Sequence, residues 1–110
     1  MAEKEINGLI ISRSLKADYI GATVDGKPHG FGKAYFPNGQ MYEGEWKDGK
    51  MDGKAQEFYA DGTLKFEGEY RDGYREGQGK SYYRDGKLSF EGIWKRGEKL
   101  DGKRTRTNWA

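Results

Sequence analysis

The chain has 110 residues, 35% of them charged and 34% hydrophobic, which admits one domain and excludes a thick two-layer core. A net charge of +2 leaves no strong field to draw in nucleic acid, and the absence of cysteine excludes a disulfide framework and thiolate chemistry. No apolar run is long enough for a transmembrane helix.

Residues 1–18 come first and fit poorly to the pattern that follows. Ile6, Ile10, Ile11 and Leu15 have the spacing of a short helix, but Gly8 and the Ile10-Ile11 pair favour a strand. The segment is expected to be a capping strand, with the helix as the alternative. Leu9-Ile10-Ile11 is too short for the core of a signal peptide, so a cytoplasmic protein is expected.

From Tyr19 the chain repeats. Aligned at Tyr19, Tyr42, Phe66 and Phe90, it steps by 23, 24 and 24 residues. Glycine then recurs in columns: Gly21, Gly44, Gly68 and Gly92; Gly26, Gly49, Gly73 and Gly97; Gly30, Gly53 and Gly77, with Gly102 one residue late; Gly39, Gly62 and Gly86. A period of this size means a repeat architecture. The 15% aromatic content argues against disorder and carries the apolar surface.

Within the repeat that starts at Tyr42, Tyr42-Glu-Gly-Glu-Trp46 alternates large and charged residues, as a strand with one covered face does. Tyr42, Gly44 and Trp46 share one face, and Glu43 and Glu45 the other. Asp48-Gly49 supplies turn chemistry, Lys54 to Tyr59 reads as a second strand, and Asp61-Gly62 as a second turn. Each repeat is therefore a β-hairpin, and further turns fall at Asp72-Gly73 and Asp85-Gly86. Alternation starting at Leu64 and Leu88 predicts strands of about eight residues there. The strand glycines are expected to let aromatic rings lie over bare backbone, with a bulge as the alternative. The repeat that starts at Tyr19 is weakened, with Thr23 where Trp or Tyr stands elsewhere. Residues 104–110 read as an edge strand or tail whose charge discourages edge pairing.

The fold expected is all-β, a single-layer twisted antiparallel meander of hairpins over residues 19–103. The string Tyr42-Glu-Gly-Glu-Trp-Lys-Asp-Gly-Lys-Met-Asp-Gly53 resembles the MORN repeat, and Gly26-Lys-Pro-His-Gly-Phe-Gly32 is similar to its middle. Ala55 and Thr23 depart from the pattern. The copies with Asp-Gly-x-Leu-x-Phe-Glu-Gly look like a variant common in bacterial proteins, some of them antitoxin-like. The resemblance implies an elongated sheet of hairpins and a function in binding, to protein partners first and to acidic lipids second.

No catalytic, cofactor or metal site is legible. His29 stands alone in a turn beside Pro28, with no second His or Cys for a metal set. Glu43, Glu45, Glu67, Glu69 and Glu91 recur at equivalent columns, whereas paired catalytic carboxylates need distinct environments. Ser12, Ser14, Ser81 and Ser89 have no histidine base at a matching position. Gly73-Tyr-Arg-Glu-Gly-Gln-Gly79 lacks the ending and the helix of a phosphate cradle.

The function expected is a non-enzymatic protein-interaction scaffold that presents an aromatic groove. Tyr35, Trp46, Phe58, Tyr59, Tyr70, Tyr82, Tyr83 and Trp94 are the candidate partner contacts. Six basic residues near the C-terminus, Lys95, Arg96, Lys99, Lys103, Arg104 and Arg106, offer acidic phospholipid as the alternative partner. Self-association through an end strand is a third reading, and nucleic acid is disfavoured by the interleaved acidic residues.

Overall fold

A computed structural model of the chain describes residues 2–12 and 15–104, with side chains described for 4–11 and 15–100. Nine strands follow one another: β1 (Ala2–Ser12), β2 (Leu15–Val24), β3 (Lys27–Tyr35), β4 (Met41–Lys47), β5 (Lys50–Phe58), β6 (Leu64–Arg71), β7 (Tyr74–Tyr82), β8 (Leu88–Lys95) and β9 (Glu98–Arg104). They form one open sheet in chain order, every neighbour antiparallel. The N-terminal segment is a strand, so the helical alternative for Ile6 to Leu15 is overturned. Leu9 pairs with Ala17, and Gly8 turns the chain at a bulge where its N–H bonds Asp18 at 2.8 Å. The arms expected to be eight residues long, β6 and β8, are each eight.

Two kinds of turn alternate. The short ones close the hairpins at Asp25-Gly26, Asp48-Gly49, Asp72-Gly73 and Arg96-Gly97. At Asp48 and Gly49 φ is 51° and 86°, the left-handed pair that lets a two-residue turn match the strand twist. The longer turns are closed by Phe36, Tyr59 and Tyr83 N–H groups donating to the carbonyls of Gln40, Thr63 and Lys87. In these turns Asn38, Asp61 and Asp85 accept from the N–H two residues on, each at 2.9 Å.

The second strand of the hairpin starts sooner than the sequence suggested: β5 at Lys50, not Lys54. The cause is a bulge. Gly44 pairs with Ala55 and Trp46 with Met51, so Met51 to Ala55 holds two more residues than the segment it faces. Gly53 absorbs the excess at φ 113°. Gly102 is corrected in the same way. It pairs with Gly92 because the last hairpin bulges by one residue only, at Leu100.

Glycines from both arms, with Ala55 in one place, line up in register across the sheet: Gly21, Gly32, Gly44, Ala55, Gly68, Gly79, Gly92 and Gly102. Aromatic rings lie over this row. A Cβ on Gly32 would stand 2.2 Å from the Tyr19 hydroxyl, and one on Gly79 2.7 Å from the Phe66 ring. The expected reason for the strand glycines is thus the observed one.

The core is a zigzag of rings on that face. Tyr19 meets Trp46 at 5.1 Å, Trp46 meets Tyr42 at 5.2 Å, and Tyr42 meets Tyr70 at 5.1 Å, all edge to face. The chain continues from Tyr70 to Phe66, Trp94 and Phe90. Such pairs add about 0.5–1.5 kcal/mol each beyond area burial. Ile6, Leu9 and Ile11 of β1 pack against the core cluster that includes Tyr19 and Ala17.

Successive hairpins are latched at the short-turn edge. Gly49, Gly73 and Gly97 N–H groups donate to Pro28, Met51 and Arg75 carbonyls at 2.8, 2.8 and 2.9 Å. The residue before each glycine donates to a side chain one position further on: Asp48 to His29, Asp72 to Asp52, Arg96 to Glu76. His29 therefore lies in β3 rather than in a turn, and its Nδ1 acts as a hydrogen-bond acceptor between repeats.

Candidate interaction surface

Of the expected contact residues, Trp46 and Trp94 are each only 3% exposed. Their rings bind the repeats together and do not line an open groove, because the neighbouring repeat supplies the next ring of the zigzag. Trp46 Nε1 donates to the Gly32 carbonyl at 3.2 Å, whereas Trp94 Nε1 and the Ser81 hydroxyl are buried without a partner among the described residues. Tyr70 is half-buried between the two aromatic clusters, and its hydroxyl donates to Glu57. Burial first, then the Glu57 carboxylate, pushes its pKa well up.

The remaining candidates lie towards the long-turn edge. Tyr59, Phe58, Tyr82 and Tyr83 are half-buried, and Tyr35 is 41% exposed. The Tyr59 hydroxyl donates to the Tyr82 carbonyl at 2.6 Å, and Arg84 and Lys65 lie over its ring at 5.0 and 5.7 Å. Burial lowers the Lys65 pKa. Tyr82 donates to Glu67 at 2.8 Å, and burial and that bond push its pKa to about 12.

Two polar residues of the aromatic face escaped the sequence reading. Glu57 occupies the column of Ala34 and Ser81, and Arg75 that of Pro28 and Met51. They form a two-pronged ion pair, Nε–Oε2 at 2.8 Å and Nη2–Oε1 at 3.0 Å. The Arg75 guanidinium also stacks over Phe66 and Trp94, 4.3 and 4.9 Å from their centroids. Burial opposes the charge on Arg75, but the Glu57 bond and charge outweigh it and raise its pKa. A carboxylate and a guanidinium at columns where the other full repeats carry no charge was the available signal.

The opposite face carries the glutamates and, among the described residues, an open trough of about 540 Å³. Its floor is the backbone of Gly44, Ala55, Gly68 and Gly79, whose side-chain direction is towards the rings. One wall is Glu43, Gln56, Glu67, Lys80 and Glu91; the other is Phe31, Lys54, Glu69 and Gln78. Phe31 is 56% exposed and was not among the expected contacts. An exposed Phe in a turn-rich, charged strand is the signal that was available.

At the basic end Lys95, Arg96 and Lys99 are exposed. Arg96 lies over the Tyr74 ring at 4.9 Å and Lys99 over Phe90 at 5.3 Å. The side chains of Lys103, Arg104 and Arg106 lie outside the described residues. No group of His, Asp and Glu with metal-binding spacing occurs among the described residues.

No curated protein matches the chain. The family model described as MORN repeat matches residues 19–41, 42–64 and 66–87, one match for each full hairpin repeat. Repeats of this family are generally non-catalytic binding or scaffold modules. Three consecutive matches over a meander whose ring and glycine columns recur in register show that the chain belongs to the MORN-repeat family.

Proposed function

We propose that the protein is a non-enzymatic interaction module that holds an extended segment of a protein partner in the trough of its glutamate face. The trough itself carries this reading. It crosses β4 to β8 over a floor without side chains, so a partner backbone can approach closely. Phe31 stands at one end, and Tyr35 and Tyr82 on the long-turn side supply further aromatic contact. The buried ring zigzag beneath makes the surface rigid before binding, which lowers the entropy cost of association. The aromatic groove expected from the sequence thus becomes an aromatic-rimmed trough, with Trp46 and Trp94 as its support.

The test is photo-crosslinking in the source cell from p-benzoylphenylalanine at Phe31, with the same label at Tyr74 on the short-turn edge as control. A protein captured from Phe31 and not from Tyr74 is the expected result, and Phe31→Ala should weaken its binding by about 1–3 kcal/mol. Equal capture from both positions would refute the trough. Binding of anionic vesicles that disappears when Lys95, Arg96 and Lys99 are neutralised, with no capture at Phe31, would put the basic end in its place.

A further inference from the structure

Along the trough, carboxylates recur on every second strand: Glu43 on β4, Glu67 on β6 and Glu91 on β8. On β4 and β6 a second carboxylate, Glu45 or Glu69, flanks the same glycine from the other side. The strands between contribute one lysine each to the lining, Lys54 from β5 and Lys80 from β7. The lining holds four carboxylates, Glu43, Glu67, Glu69 and Glu91, against those two lysines. Some of this charge is already engaged. Glu91 lies 4.0 Å from Lys80, and Glu45 accepts the Lys54 N–H at 3.3 Å. Glu67 is held in place by Tyr82 and Gln56.

Neighbouring strands lie about 4.8 Å apart, so the carboxylates recur about every 9.6 Å. A polyproline-II segment rises about 3.1 Å per residue and returns to the same side every third residue, after about 9.3 Å. A β-extended segment returns after about 6.8 Å and falls out of step. From this match we infer that the occupant is a polyproline-II-like segment of the partner, running across the strands with Lys or Arg at every third position. The inference rests on the trough reading above and adds the chemistry of the ligand. Lys54 and Lys80 supply the discrimination: an uninterrupted basic run would set its intervening cations against them.

Fluorescence anisotropy with the full chain at low salt tests this, using three labelled peptides of equal length. One repeats Lys-Pro-Ala, one has the same composition with its lysines in a single block, and one repeats Glu-Pro-Ala. The periodic lysine peptide should bind about tenfold more tightly than the block peptide, and the glutamate peptide should not bind. Glu43→Gln with Glu67→Gln, which keeps the acceptors and removes the charge, should weaken the periodic peptide about tenfold. Circular dichroism melts confirm that the variant is folded.

Equal binding of periodic and block peptides, or no effect of the double substitution, overturns the inference. If Phe31 captures a partner from cells but neither lysine peptide binds, the trough reading stands and the basic chemistry is wrong. A dimer that the periodic peptide dissociates would put a second copy of the chain in the trough, and overturns a separate protein partner.

Discussion

Glu57 and Arg75 bring an ion pair into a largely apolar face, and the repeat itself supplies the replacement residues. Their side chains are 14% and 19% exposed, with two hydrogen bonds of 2.8 and 3.0 Å between them. Breaking a buried pair on one side leaves an uncompensated charge and costs about 3–5 kcal/mol. With the residual solvent access of this pair, Arg75→Met and Glu57→Ala should each cost about 2 kcal/mol. The double variant restores the residue types of Met51 and Ala34 at both columns and should cost no more than about 1 kcal/mol. The two sites are then coupled by about 3 kcal/mol. Urea unfolding measures this directly. At a slope of about 1 kcal/mol per molar for a chain of this size, each single variant should move the midpoint by about 2 M with the slope unchanged. If the double variant loses as much as the two singles together, the pair is not held by its partner charge, and the column argument fails.

Gly68→Val should cost at least about 2–3 kcal/mol, because its Cβ would meet the Gln78 carbonyl and Gly79 Cα at 2.6 Å and the Phe66 ring at 2.9 Å. Glu67→Val next to it loses only the bonds to Tyr82 and Gln56 and should stay within about 1 kcal/mol, so equal effects in denaturant would reverse the face assignment. Ser81→Ala removes a buried hydroxyl that has no partner among the described residues, and copies Ala34; a gain of about 1 kcal/mol is expected, and a loss of that size would show that the hydroxyl is bonded. Alkali should destabilise the fold. Burial first, and then nearby carboxylates, raise the pKa values of Tyr42 and Tyr70 above the ordinary 10.0. Above pH 10 the unfolded chain therefore loses protons that the folded one keeps, and stability falls as pH rises. Melting temperatures should drop as the pH rises past about 10, less steeply in Tyr70→Phe; a flat profile would contradict the burial of these hydroxyls.

Much of this molecule is written locally. The 23- and 24-residue steps, the Asp-Gly turns and the alternation around Gly44 and Gly68 determine hairpins, their order and their faces, because each signal acts within a few residues of its cause. The glycine columns likewise announce rings over backbone, since Tyr19 and Phe66 need that space. What required the tertiary structure is everything that depends on register between strands. The bulge at Gly53 moves Met51 opposite Trp46, and the smaller bulge at Leu100 carries Gly102 into the glycine row. Stacking of one repeat on the next buries Trp46 and Trp94, which a single repeat would leave exposed. Glu57 meets Arg75 although 18 residues separate them, and Phe31 comes to share a trough with Glu91. No local rule encodes these encounters. They arise from the sum of bulges, pairings and ring contacts over successive repeats, and with them the surface on which the proposed function rests.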